Sequence, residues 1–413
     1  MSFYSKFKRF LLGKPLPNDA YETERLNNFQ GLAVFSSDAI SSNAYATEEI
    51  LKVLVLAGAA GLGISIWISV VIVCLLAIVV LSYRQTVGAY PNGGGAYIVT
   101  TANFGRNPGL LAAASLMIDY VLTVSVSIAS GVENITSLSQ LKSLQPFAIP
   151  ICIALIFLLT IINLRGIRQT GTAVMIPTYA FIAAMFIMIG MGVFQHATGQ
   201  IHVAPPAIKA SENLGIFFIL RAFSQGCVAL TGVEAISNGV KAFKQPEAKN
   251  AQSTTAAMGL ILGSIFLGIT YLANIYHIVP KKNESVVAML AHQIFGDGSI
   301  YTFTLIFTLL ILILAANTSF SDFPRVASFL ANDRFLPQQL QLFGDRLVYS
   351  NGIILLSIFA SVLIVVTRAS VDALIPMYAI GVYTSFTLSQ SGMVKHWLNE
   401  RSQHWQVKLF GVA

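Results

Sequence analysis

Long apolar runs recur along this 413-residue chain, and short polar segments separate them. A helix needs about 20 predominantly apolar residues to cross the hydrocarbon core of a bilayer. Runs of about this length lie at residues 30–57, 61–83, 108–131, 147–164, 172–195, 214–243, 254–278, 299–326, 351–367 and 371–393. Segments 86–105 and 284–296 are too polar to cross and indicate interfacial or re-entrant helices. The pattern predicts an all-α integral membrane protein with ten spans.

The composition supports a protein that lies mostly in lipid. Apolar residues make up 55% of the chain and charged residues only 10%, and the mean hydropathy is +0.70. A soluble domain usually has about 25% charged residues. Such a chain has too few polar side chains to cover itself in water, so its surface must face the bilayer.

The basic residues indicate an orientation. The formal net charge is +7, but Lys and Arg lie in short loops and form no single stripe, which argues against a nucleic-acid partner. With a cytoplasmic N-terminus, 18 basic residues fall on the inside and only 5 on the outside. Cytoplasmic loops carry the excess of Lys and Arg. We therefore expect a multi-pass protein of the cell membrane with its N-terminus in the cytoplasm.

Ten spans divide into two sets of five, and an odd number forces the second set to enter the membrane inverted. The first span of each set contains an acid followed by Ala-Ile-Ser, at Asp38 in span one and at Glu234 in span six. Small polar residues there compete for backbone hydrogen bonds. Matching interruptions in two halves predict broken helices and a transporter's binding site. Two kinked helices that merely pack together are the alternative.

This division predicts the domain organisation. Residues 29–198 form the first five-helix repeat and residues 214–393 the second, with an extracellular loop at 199–213. Cytoplasmic segments are expected at 1–28 and 394–413. The last of these contains an apolar stretch from Trp405 that resembles the start of a further span, which we interpret as the sign of a truncated chain.

Three carboxylates lie well inside the spans: Asp38, Asp119 and Glu234. Each costs about 2.5–3.5 kcal/mol to insert, so such residues usually mark a pathway or a charged partner. The basic residues within spans, Lys52 and Arg221, lie nearer the outer ends. Three acids without a nearby base predict a site for a cation or for protons, and a structural ion pair is the alternative.

Span three has a polar stripe along one face. Ser115, Asp119, Thr123 and Ser127 recur every four residues, so they share one side of the helix. Hydroxyl and carboxylate oxygens suit a hard cation that has lost its water. Serine and threonine alone are more often helix-packing residues, but Asp119 within the stripe favours a cation site.

Three other features have more ordinary interpretations. Glu48 and Glu49 close to the outer end of span one are interpreted as a solvated rim, with a mouth that concentrates cations as the alternative. A helix terminus is the interpretation, and a sodium site against span one the alternative, for the polar residues Asn317, Thr318, Ser319, Ser321 and Asp322. The glycines of segment 91–97 are expected to allow a tight turn on the cytoplasmic side, because the segment lacks the Gly-Lys-Ser/Thr of a phosphate loop. No nucleophile–base pair, zinc motif or cofactor loop occurs in the spans, so we expect neither an enzyme nor a cofactor.

Several segments carry a family resemblance. Segment 90–97 resembles the signature of the amino acid–polyamine–organocation superfamily. The break in span one lacks the glycine typical of its amino-acid transporters and carries an acid that repels a carboxylate. The chain is more similar to the KUP-type potassium importers, over essentially its whole length, in the segments Ser36-Ser37-Asp38-Ala39, Leu81-Ser82-Tyr83-Arg84-Gln85, Ile118-Asp119-Tyr120, Asn163-Leu164-Arg165-Gly166 and Thr231-Gly232-Val233-Glu234.

The resemblance implies a five-plus-five inverted repeat of the LeuT type and potassium uptake by symport with protons. It implies Glu234 as the proton carrier. The implied potassium ligands are Asp38, Tyr45, Asp119, Thr123, Ser127, Thr231 and Tyr378. Members of this family continue into a cytosolic domain that holds a homodimer together, so we expect a dimer only where such a domain follows. The leading alternative is a transporter of polyamines or cationic amino acids, whose ammonium groups would bind the same acids.

Overall fold

A computed structural model describes residues 25–91, 93, 95–166, 171–199, 208, 210–282, 284–344 and 348–400. The described part of the chain is helical, and its only strand-like pairings are two isolated bridges, Leu26 with Phe243 and Lys281 with Glu284. Most of the predicted terminal segments and part of the loop at 199–213 lie outside the described residues. The expected start of a further span near Trp405 lies outside them as well.

The described helices follow the predicted spans. They are α1 Asn28–Ser41, α2 Ala46–Leu54, α3 Gly58–Ala89, α4 Ala96–Phe104, α5 Arg106–Thr136, α6 Ala148–Leu164, α7 Gly171–Ala197, α8 Ile216–Gly226, α9 Ala235–Asn238, α10 Glu247–Ile275, α11 Val286–Phe295, α12 Ser299–Asn332, α13 Ser350–Val366 and α14 Val371–Glu400. Short 3₁₀ segments link several of them, among them Ser42–Ala44, Val55–Ala57 and Cys227–Leu230.

Eight helical stretches of the described residues are long and apolar enough to cross a membrane. The first, Asn28–Ala89, has 62 residues and covers two predicted spans, which meet at Gly58, where φ is +75°. Helix α13, with 17 residues, matches the ninth predicted span. The chain is therefore a multi-pass membrane protein. The two polar segments form the short helices α4 and α11, although α3 continues to Ala89, past the predicted boundary at residue 86.

The break in span one follows from local hydrogen bonds. Helix α1 ends at Ser41, and the side chains of Ser41, Ser42 and Asn43 donate to the carbonyls three residues before them, at 2.7, 2.6 and 3.1 Å. These bonds replace the backbone donors that a continuing helix would supply. Tyr45 leaves the helical region with φ −132°, and α2 begins directly after it.

The break in span six is longer. After α8 and the 3₁₀ turn Cys227–Leu230, Thr231 is extended and Gly232 adopts a φ of +74°. The left-handed region is open to glycine at little cost. Helix α9 then has only four residues. The two interruptions contact each other, with Ser42 Oγ 3.4 Å from Ala229 O, so the helix breaks that the pattern predicted lie side by side.

Long helices pack around the two breaks. Helix α5, the most buried candidate span, packs against α12 and α14, and α12 packs against α1. On the other side, α10 packs against α1 and α3. Long helices therefore flank the two breaks, whereas one side of α8 is exposed, with Ile216 71% and Phe217 85% exposed.

The outer end of span one differs from the sequence prediction. Glu48 and Glu49 are each only 4% exposed, so the solvated rim was wrong. Lys52 Nζ lies 2.7 Å from Glu48, 3.0 Å from Glu49 and 2.5 Å from Asp372 at the start of α14. Glu48 also accepts the backbone N–H of Val286 in the first turn of α11, at 3.0 Å. Packing by α11 and α14 buries the two acids, and one ammonium group compensates them.

We expect Lys52→Met to destabilise the fold. Removing one partner of a largely buried ion pair leaves the other charge uncompensated and costs about 3 kcal/mol. Thermal unfolding of the purified protein in detergent should therefore occur at a lower midpoint than for wild type. Lys281→Met is the control, because Lys281 is exposed nearby. Equal midpoints for the two variants would contradict the predicted role of Lys52.

A candidate cation site between two helix breaks

The three predicted acids are deeply buried. Asp38 is 6% exposed, Asp119 3% and Glu234 5%. One oxygen of each, Asp38 Oδ1, Asp119 Oδ1 and Glu234 Oε2, is buried with no hydrogen-bond partner. None of the ion pairs among the described residues involves these carboxylates. The structural ion pair that was the alternative interpretation is therefore absent from the described part of the chain.

The break in span six closes over the acid of span one. A Cβ atom at Gly232 would lie 2.8 Å from Asp38 Cγ and 2.7 Å from Ala39 N, closer than real Cβ contacts. Asp38 is therefore in direct contact with the left-handed turn that precedes Glu234. The charges of Asp38 and Glu234 interact across this contact. Two acids separated by almost 200 residues thus share one small volume.

Buried hydroxyl groups come from the two breaks and from α5 and α14. Thr123 Oγ1 donates to Tyr378 Oη at 3.0 Å. Tyr45 lies at the break in span one, and Thr231 Oγ1 donates to Val228 O at 2.8 Å within the break in span six. All four residues are buried. Tyr378 also lies within electrostatic range of Asp119. Six of the seven predicted potassium ligands are therefore buried on α1, at the two breaks and on α5 and α14, and direct contacts join Asp38 to Gly232 next to Thr231 and join Thr123 to Tyr378.

Ser127, the seventh predicted ligand, lies one turn beyond Thr123 on the same face of α5 and is buried. None of the described contacts joins it to the other six. Its place in the site rests on helical spacing alone, and its role as a ligand stays a prediction.

Sequence reasoning placed Asp322 among the polar residues near the inner end of span eight and preferred a helix terminus to a sodium site there. Helix α12 continues to Asn332, so residues 317–322 lie within a helix and the predicted helix terminus was wrong. The Asp322 carboxylate interacts electrostatically with Asp38 and Glu234, and its Oδ1 lies 3.9 Å from Arg325 Nη1. Its position inside the apolar run 299–326 was the available signal.

The glycine segment contacts the inner end of span six. A Cβ at Gly95 would lie 2.4 Å from Asn238 Oδ1, so glycine is needed there for close approach. Just after it, the Tyr97 hydroxyl donates to Asp333 at the end of α12. Burial and this bond raise the pKa of Tyr97 to about 12, so the hydroxyl stays a donor at neutral pH. The predicted turn thus also holds α9 against α4.

Comparison with known proteins identifies the family of this chain. The sequence model of the amino acid permease family matches residues 26–412. This chain belongs to the amino acid permease family. It is 45% identical over 411 residues to the potassium transporter KimA of Bacillus subtilis strain 168, an alignment that covers 98% of this chain and 67% of KimA.

A second permease matches part of the chain. The low-affinity putrescine importer PlaP of Escherichia coli K12 is 26% identical over 204 residues, which cover 48% of this chain and 43% of PlaP. The chain therefore spans about two thirds of KimA and less than half of PlaP. Its similarity to KimA extends over both helix breaks and all three buried acids, as the family resemblance in the sequence implied.

Gly232→Ala should destabilise this permease. A side chain at φ +74° costs about 1 kcal/mol, and the new methyl group would also collide with Asp38. We expect a lower thermal midpoint in detergent. Gly263→Ala is the matched control: this glycine lies inside α10 with its nearest neighbour at 3.4 Å, and alanine favours a helix interior by about 1 kcal/mol. If both substitutions gave the same midpoint, the assigned contact of Gly232 with Asp38 would be wrong.

Proposed function

We propose that this chain imports potassium ions into the cell, coupled to protons, by alternating access. The observation that carries the proposal is the cluster of buried carboxylates and hydroxyl groups that no fixed base compensates. Burying such negative charge is costly unless a positive ion answers it. The similarity to the potassium transporter KimA over 98% of the chain supports potassium as that ion.

In this mechanism a potassium ion exchanges its water for side-chain oxygens. Asp38 and Asp119 supply negative charge, and the five hydroxyl-bearing ligands, Tyr45, Thr123, Ser127, Thr231 and Tyr378, supply neutral oxygens. The carbonyl ends of the broken half-helices add negative dipole. Oxygen ligands of this kind suit a hard monovalent cation, whose charge they balance without a metal-binding cluster of cysteine or histidine.

Glu234 takes the second positive charge as a proton. It lies beside Asp38 but precedes a different half-helix, so its protonation changes the charge of the site without displacing the potassium ion. Loading both ions reduces the net negative charge of the cluster and removes the electrostatic barrier to moving it. An inside-negative membrane potential adds about 2.3 kcal/mol per charge per 100 mV to accumulation.

The transport cycle rests on the inverted-repeat arrangement of the LeuT type, with repeats at 29–198 and 214–393 and a cytoplasmic N-terminus. The matching breaks in spans one and six and the distribution of 18 basic residues against 5 support it. One set of helices then rocks against the other around the ion. Lys52 pairs with Glu48 on α2 and with Asp372 on α14, and Glu48 accepts the N–H of Val286 on α11. These contacts join the outer ends of the three helices and must separate for the outside to open.

The second candidate function is import of a polyamine or a cationic amino acid. The partial similarity to the putrescine importer PlaP favours it, and ammonium groups would bind the same carboxylates. Competition separates the two functions. Potassium import predicts that excess potassium abolishes uptake of radioactive rubidium while putrescine or lysine leaves it unchanged. Strong inhibition by putrescine or lysine would favour the second function.

We expect the full-length chain to restore growth of potassium-uptake-deficient cells at low potassium. Asp38→Asn, Asp119→Asn and Glu234→Gln should each lower initial rubidium uptake about tenfold or more, because about 1.4 kcal/mol of lost ion stabilisation is a factor of ten. Ser125→Ala is the matched control, since Ser125 is buried on α5 but its hydroxyl donates to Val121 O at 3.0 Å. Wild-type growth and uptake in all three acid variants would show that the site is misplaced.

A further inference from the structure

The interface between α3 and α14 contains buried polar atoms with no partner. They are Tyr83 Oη, Gln85 Oε1, Ser389 Oγ and Gln390 Nε2. Ser82 Oγ donates to Gln390 Oε1, and the Tyr83 ring packs edge-on against Phe386 at 5.8 Å, so the two helices face each other along this stretch. Buried polar atoms of this kind in native proteins are usually satisfied by ordered water.

One end of this polar stretch reaches the proposed proton carrier. The Tyr83 hydroxyl lies within electrostatic range of Glu234 and Asp119, and beside Ser389 at a geometry short of a hydrogen bond. Helix α9, which begins directly after Glu234, packs against α3. Glu234 itself has an unpartnered buried oxygen. A water molecule between these groups would give each of them a partner.

The other end opens into a cavity. Arg84, Gln85, Gln252 and Trp397 line a space of about 450 Å³ at the far end of α3 from Gly58. A water molecule occupies about 30 Å³ in the liquid, so the cavity holds many. In the proposed topology it lies on the cytoplasmic side. The charge of Arg84 disfavours a cation that stays in the cavity and so favours release of a proton to bulk water.

We propose that Glu234 releases its proton to the cytoplasm through a single file of water molecules, apart from the path of the potassium ion. The side chains that hold this file are those of Tyr83, Gln85, Ser389 and Gln390. This inference rests on the proposed function of Glu234 as proton carrier. The Glu234 carboxyl O–H bond breaks, the proton passes to the first water, and each water passes one proton onward. Glu234 remains as a carboxylate, and one proton enters the cavity water.

The chemistry of the file favours protons over potassium. Tyr83, Ser389, Gln85 and Gln390 are neutral and can orient water by donating and accepting hydrogen bonds. None of them provides the negative charge that a dehydrated potassium ion requires. A proton moves by exchange along hydrogen-bonded water and needs no such ligand cage. Because its wall carries no negative charge, the file conducts protons and does not admit potassium ions.

Two transport assays in proteoliposomes test the file with the full chain. The first measures rubidium exchange at equal pH on both sides, which the loaded carrier performs without releasing its proton. The second measures rubidium uptake driven by an acidic exterior, which requires proton release on each cycle. Ser389→Ala and Tyr83→Phe should keep exchange near the wild-type rate and lose about tenfold of driven uptake, a change of about 1.4 kcal/mol in the barrier.

Thr86→Val is the matched control. Thr86 is buried on α3, but its hydroxyl donates its one hydrogen to Ser82 O at 3.2 Å and so cannot donate to water in the file. It should preserve both assays. Size-exclusion chromatography reports whether Tyr83→Phe disturbs folding. If it does, Ser389→Ala, which removes a single oxygen atom, decides the question.

The outcomes are distinguishable. Equal loss of exchange and driven uptake in Ser389→Ala, or no loss in either assay, overturns the file while leaving the potassium site intact. Wild-type rubidium uptake that ignores the pH gradient overturns the proton coupling itself. A high-resolution cryo-EM map with ordered water between Tyr83 and Gln390 supports the file, and direct side-chain packing there without water contradicts it.

Discussion

The structure depends on uncompensated negative charge at its centre. Asp38, Asp119 and Glu234 are buried among the helices, and none of the described ion pairs reaches them. Hydrocarbon and packed side chains solvate such charge poorly. The surrounding helices therefore have to supply hydroxyl groups, backbone dipoles and space for mobile ions. The two helix breaks, Tyr45 at the first of them, Tyr378 on α14 and the polar face of α5 are all consequences of that need.

Charge is treated differently at the outer end of the protein. There the acids Glu48 and Glu49 are also buried, but Lys52 provides a covalently attached cation that compensates them. The contrast separates two uses of buried carboxylates in one chain. A fixed counter-charge makes a contact that holds helices together, whereas a missing one makes a site that only a diffusible ion can complete. The same side-chain chemistry thus holds helices together in one place and, in the proposed function, binds a mobile ion in the other.

Features that depend on local backbone chemistry could be predicted from the sequence. The serines after Asp38 bond to carbonyls three residues back, and Gly232 takes a left-handed conformation, so both breaks are determined by short segments. Features that depend on tertiary packing could not be predicted in this way. The burial of Glu48 is determined by α11, and the burial of Tyr83 by α14. The polar run that ends at Asp322 remains helical because partners such as Asn163, which donates to Asn317 at 2.7 Å, meet its side chains.

The flush contact between Gly95 and Asn238 has a mechanical consequence. Because Gly95 has no Cβ, the start of α4 lies directly against Asn238 in the inner segment of span six. Displacing that segment must either move α4 with it or break the contact between Gly95 and the Asn238 side chain. Helix α4 is tied in turn to α12 through Tyr97 and Asp333, and it packs along α5 and α14. Because α4 is joined to so many helices, we expect it to move in a single concerted step. In the proposed transport cycle, opening toward the cytoplasm should therefore be all-or-none rather than gradual.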